Sequence, residues 1–118
     1  MIDNIRLSEK AKQQLIVIKR KTGIENWNVL CRWALCLSLA EESAPPFEDI
    51  KADSSVEINW KTFSGEYDKI YINIIMMKFH NDELSPNEYD NWIKIHIHRG
   101  ISYLHARILK IDDFMGQL

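Results

Sequence analysis

The sequence predicts a mainly α protein: a compact four-helix domain with a short N-terminal strand and a short extended segment near 56–60. Three observations carry this. Apolar residues recur at three- and four-residue spacing over long stretches, the mark of an amphipathic helix. A further stretch, 26–41, is apolar nearly throughout. Gly and Pro number only four and three in 118 residues, too few for the turns of an all-β barrel. The length is that of one domain, spanning 1–118, with residues 106–118 as a tail outside the four-helix body.

The elements follow in order. Ile5 and Leu7 alternate with polar neighbours, as in a short strand. Ser8 is placed to cap a helix over 8–21, since its hydroxyl can accept from a free first-turn N–H. Ala11, Leu15 and Ile18 form the inner stripe of that helix, and Gly23 ends it. The second helix, 26–41, leaves almost no polar face, and a helix apolar all round must be covered all round. So short a chain has few elements to do that. Trp27, Leu30, Cys31, Ala34 and Leu37 are therefore expected at an oligomer interface. Asp at Leu30 or Ala34 is expected to break the assembly before the fold.

Residues 42–55 read as a solvated loop, with Pro45-Pro46 blocking helix. Val56, Ile58 and Trp60 alternate as in an extended segment. Over 64–80 both periods are present, and length decides for helix. Glu66 and Asp68 at its start and Lys78 and His80 at its end complement the macrodipole. Ser85-Pro86-Asn87-Glu88 is a capping box with Pro at the first helical position, and Leu84 and Tyr89 stand at the staple positions. Tyr89, Trp92, Ile93, Ile97, Ile101 and Leu104 then face one way, and the last helix is predicted to end near His105.

Composition narrows the function. Hydrophobic residues are 46% and charged residues 27%, which is globular. The apolar run 27–40 is shorter than the roughly 20 residues a spanning helix needs, and the N-terminus lacks the pattern of a signal peptide. Two cysteines make no disulfide framework. A soluble, cytoplasmic protein without a membrane partner is expected. Net charge is −2 and the pI near 6.1, low for a dedicated nucleic-acid binder. The charge is uneven, however. Residues 1–32 hold seven Lys/Arg against three Asp/Glu, and residues 33–68 hold two against eight.

Catalysis has no address in the chain: no Gly-rich phosphate loop, G-x-S-x-G or H-E-x-x-H occurs. His96 and His98 are two residues apart, which on a helix turns them to nearly opposite sides. His98 and His105 share a face but lack further ligands for a metal. Neither cofactor nor metal is expected. Cys31 and Cys36 do not face one another and read as small apolar residues. Arg32 needs a partner or an outlet to water, and Glu25 is a candidate. The feature with a mechanism is the basic set Lys10, Lys12, Lys19, Arg20 and Lys21, running into the Thr22-Gly23 turn. Lysines bind phosphate as point charges, and turn amides can add donors.

Three blocks resemble a known family. Thr22-Gly23-Ile24, Asn26-Trp27-Asn28, Leu30 to Ala34 and Ser38-Leu39 form the first. Asn59 to Tyr67 form the second, and His96 to Ile101 with Tyr103-Leu104 the third. Together, over about residues 4–105, they are similar to the DndE family of bacterial DNA phosphorothioation systems. The resemblance implies a small helical component of machinery that replaces a non-bridging phosphate oxygen of DNA with sulfur. Its partners would be a cysteine desulfurase, an iron–sulfur sulfur-transfer protein and an ATPase. It also implies a homotetramer that binds duplex DNA, notably nicked. The strand–helix–Thr-Gly–helix order of the N-terminal half further resembles a ribbon-helix-helix unit in topology. The expected function is a non-catalytic DNA-backbone-binding subunit. An adaptor that contacts only partner proteins is the alternative, and a DNA-nicking enzyme using His96, His98 or His105 the remote third.

Overall fold

A computed structural model of the chain describes residues 4–46, 49–59, 68–82, 85 and 88–116, with only the backbone at 68–72 and 112–116. Ile5, the buried middle residue of β1 (Asn4–Arg6), lies opposite Ile58 of β2 (Glu57–Asn59) in an antiparallel pair. The strand predicted from Ile5 and Leu7 thus finds its partner in the segment predicted near 56–60. Trp60 lies outside the described residues.

Helix α1 (Glu9–Thr22) starts where Ser8 Oγ accepts from the Ala11 N–H at 3.1 Å. It buries Ala11, Leu15 and Ile18 and stops at Gly23, whose φ of 74° is left-handed. Helix α2 (Trp27–Ala40) is capped by Asn26 Oδ1, which accepts from the Asn28 N–H at 2.9 Å. Helix α3 (Asp68–Asn81) bears out the helical reading of its segment. The start predicted at 64–67 lies outside the described residues, as do Leu84, Pro86 and Asn87. Of the capping box, the Ser85 N–H donates to Glu88 Oε2 at 3.2 Å.

Helix α4 (Tyr89–Gly116) has 28 residues, a length of about 42 Å, and overruns the predicted end at His105. The inner stripe does not stop at Leu104, because Ile108 packs on the same core. Strong helix formers such as Ala106, Arg107, Leu109 and Lys110 carry the backbone on. The segment expected as a tail is therefore helical through Gly116.

α4 is the spine. The Ser8 N–H donates to His98 Nε2 at 3.0 Å, and Ser102 Oγ bonds Gln14 Oε1 at 3.4 Å, so α1 and α4 advance in the same direction. α2 runs against α4, with Ala34 at Gly100 and Ser38 at His96 and Arg99. A β-carbon on Gly100 would overlap the Ala34 carbonyl, so only glycine allows this approach. Phe79, Tyr89, Trp92 and His96 form an aromatic cluster where α3 meets α4. The loop after α2 is less free than its composition suggested. Ile50 and Ser54 are buried, and Ser54 Oγ donates to the Leu7 carbonyl at 2.7 Å.

Candidate nucleic-acid interface

The five predicted cations of α1 are spread around it by the helix itself. Each residue turns about 100° about the axis. With Ala11, Leu15 and Ile18 facing inward, Lys12 and Lys19 flank the core on one side and Lys10 and Lys21 on the other. Arg20 points directly away. Lys10, Arg20 and Lys21 are exposed, Lys12 and Lys19 half-buried. Lys12 Nζ reaches Ser55 Oγ at 3.5 Å. Lys19, Arg20 and Lys21 thus cover the whole outer arc of the last turn, while Lys10 lies about 13 Å away at the first.

Of the Thr22 and Gly23 amides expected to help them, that of Gly23 is engaged within the turn, as is the following Ile24 amide. The Gly23 N–H donates to the Lys19 carbonyl at 2.9 Å. The Ile24 N–H donates to Thr22 Oγ1 at 3.2 Å, and that hydroxyl donates to the Ile18 carbonyl at 2.8 Å. Moreover, a helix C-terminus carries partial negative charge and disfavours an anion. Any anion at this corner would meet side chains rather than turn amides.

The residues expected at an oligomer interface divide. Leu30, Cys31 and Ala34 have no exposed surface in the single chain, because α4 covers them. Trp27 and Leu37 are half-buried. What α2 turns outward is Trp33, 45% exposed, and Cys36. The larger apolar surface is on α3, where Ile74, Met76 and Met77 are exposed, Met77 at 69%. In sequence this face is masked by the neighbouring α2, whose apolar run is longer and less interrupted. Arg32 is half-buried and, among the described residues, makes no ion pair with Glu25.

The histidines part company, as their spacing requires. His98 turns to α1, where it accepts from Ser8 on Nε2 and donates from Nδ1 to the Lys94 carbonyl at 2.7 Å. That fixes a neutral ring with its proton on Nδ1. His96 turns to α2, and its Nδ1 lies 2.7 Å from Ser38 Oγ. Arg99 Nε donates to the same oxygen at 2.8 Å, so the Ser38 hydroxyl joins the two side chains. Burial, then Arg99, lowers the His96 pKa to about 4. Ser38 is fully buried, so this arrangement is a structural joint rather than an accessible nucleophile. A serine in a largely apolar helix was the sequence signal for it. Burial pushes the Cys31 thiol up to about 12, leaving it un-ionised at neutral pH.

A cavity of about 510 Å³ opens between the start of α1, the loop and α4, with Lys10, Asp49, Lys51, Asp53, His98 and Arg99 in its walls. Charges of both signs mix there, three cations against two carboxylates. The Glu9 N–H at its rim already donates to Asp53 Oδ1 at 2.8 Å. An adjacent run of one sign, Lys19, Arg20 and Lys21, is at the other end of α1. Among the described residues no helix is long and apolar enough to cross a membrane.

The fold is shared with proteins of known structure. The crystal structure of DndE from Escherichia coli B7A, involved in DNA phosphorothioation modification, matches with a TM-score of 0.71 and 24% identity, covering 88% of this chain and 97% of that one. A glycine-to-lysine mutant of DndE involved in DNA phosphorothioation matches with a TM-score of 0.68 and 20% identity, covering 90% and 99%. No curated protein sequence matches the chain. The family described as DNA sulphur modification protein DndE matches residues 4–110, the four-helix body and the α4 residues just beyond His105. The chain belongs to the DndE family.

Proposed function

We propose that the chain is a non-catalytic DNA-backbone-binding subunit of a DNA phosphorothioation complex, working in the cytoplasm as a homo-oligomer on duplex DNA, notably nicked duplex. Lys19, Arg20 and Lys21 covering the outer arc at the end of α1 supports this reading most. Lys10 and Lys12 extend the surface towards the start of the helix, and the Thr22-Gly23 turn shapes its edge. Cations on flexible stems suit phosphate and carry no sequence information. Binding is therefore indifferent to sequence and weakens steeply with salt. Assembly supports it too. Trp33, Ile74 and Met77 are large apolar groups left in water by a single chain, and identical copies would multiply weak phosphate contacts. The tetramer, the desulfurase, the iron–sulfur sulfur-transfer protein and the ATPase fit this role as partners.

A titration of the isolated protein against nicked and intact duplex at two salt concentrations tests it. Retention at low salt that collapses at high salt supports the proposal, and indifference to both duplexes overturns it. The exposed α3 face, with Ile74, Met76 and Met77, favours a second reading, an adaptor that docks partner proteins without touching DNA. That indifference is the result it predicts.

A further inference from the structure

The DNA-binding reading assigns phosphate contact to α1 alone, yet the path of α4 brings further cations to the same end of the molecule. α1 and α4 advance together from the Ser8–His98 and Gln14–Ser102 contacts. From Gln14 to Lys21 α1 rises about 10 Å, and from Ser102 to Lys110 α4 rises about 12 Å. α2 runs the opposite way from its Ala34–Gly100 contact, so its first residue, Trp27, stands level with Arg107. Viewed down α4, Arg107 and Lys110 project about 140° and 80° round from Ser102. That is the flank α2 covers further down and leaves open beyond Trp27, and both side chains are exposed.

We infer that Arg107 and Lys110 belong to the same phosphate-binding surface as Lys19, Arg20 and Lys21. The inference rests on the DNA-binding reading and extends it to a composite footprint, in which the α1–α2 corner and the last third of α4 grip one duplex together. Within 19–32 and 105–111 the lone carboxylate is Glu25. Gathering like charges raises the local potential and costs the free protein self-repulsion, which a polyanion relieves.

The test is a duplex titration over about 50–200 mM salt with three proteins: the wild type, Arg107→Gln/Lys110→Gln and Lys19→Gln/Arg20→Gln/Lys21→Gln. For every phosphate that a variant no longer neutralises, the slope of log K against log salt becomes shallower by about 0.9. The α4 variant should therefore show a shallower slope and weaker binding at low salt, while Arg107→Lys keeps both. If the α1 variant is weakened and the α4 variant matches the wild type, the inference falls and the DNA reading stands. Should the wild type ignore both duplexes at low salt, the two fall together. An α4 variant of reduced light-scattering mass would assign these residues to assembly and also overturn the inference.

Discussion

Gly100 of α4 lies against the Ala34 carbonyl of α2, so the two helices meet backbone to backbone at that point. The atoms in the way of any side chain are main-chain atoms, which cannot rotate aside. Gly100→Ala should therefore destabilise the chain by about 3 kcal/mol through overpacking. Gly23→Ala meets no neighbour within 4 Å and should cost about 1 kcal/mol, from its left-handed backbone alone. Urea midpoints of the two variants check both the sizes and their order.

Burial of Leu30 and Ala34 reverses what their helix suggested in isolation. Both are covered by α4 within one chain, and an unpaired carboxylate there has no outlet to water. Leu30→Asp and Ala34→Asp should abolish the folded state, seen as loss of helical circular dichroism. Met77→Asp, on an exposed site, should keep the dichroism and lower the solution mass if α3 is a subunit contact. A soluble, helical Leu30→Asp protein would contradict the packing.

His96 makes stability depend on pH. Its folded pKa, about 4, lies below the ordinary 6.5, so between those values the unfolded chain binds a proton that the native chain refuses. Its contribution is complete above pH 6.5, shrinks as pH falls and is exhausted near pH 4. The loss amounts to at most about 3 kcal/mol. His96→Gln keeps a partner for Ser38 and does not titrate. From pH 7 to pH 4.5 the melting temperature of the wild type should fall relative to that of the variant.

Neutralising Lys19, Arg20 and Lys21 with Gln should leave the mass unchanged and lower the melting temperature only modestly, because none is part of the core but all three offset the partial negative charge at the end of α1. Duplex affinity should fall, with the salt slope shallower by about 0.9 for each phosphate those cations had neutralised. Fluorescence anisotropy at two ionic strengths reads both quantities.

Local structure was legible in the sequence wherever one short-range rule decided it. Ser8 and Gly23 bound α1 because a hydroxyl and a missing β-carbon act within one turn. The even spacing of His96 and His98 sent their rings to different helices. What depended on tertiary approach was harder to read. Leu30, Cys31 and Ala34 were as apolar as an interface requires, and nothing in their own segment says that Gly100 lets α4 close over them. α4 outran its predicted end because Ile108 adds one step to a stripe that looked complete at Leu104. The basic set was legible as composition. Its distribution around α1 and the use of the Gly23 amide needed the helix ends in place.

The spine position of α4 also orders events during synthesis. α1 and α2 touch each other sparingly and pack chiefly on a helix made after both. A ribosome-bound chain that has emerged only through the Pro45-Pro46 segment has the apolar faces of two helices and nothing to shelter them. Folding must wait until the stretch around Gly100 to Ile108 clears the exit tunnel. A chain truncated before that stretch is a client for chaperones rather than a smaller version of the protein.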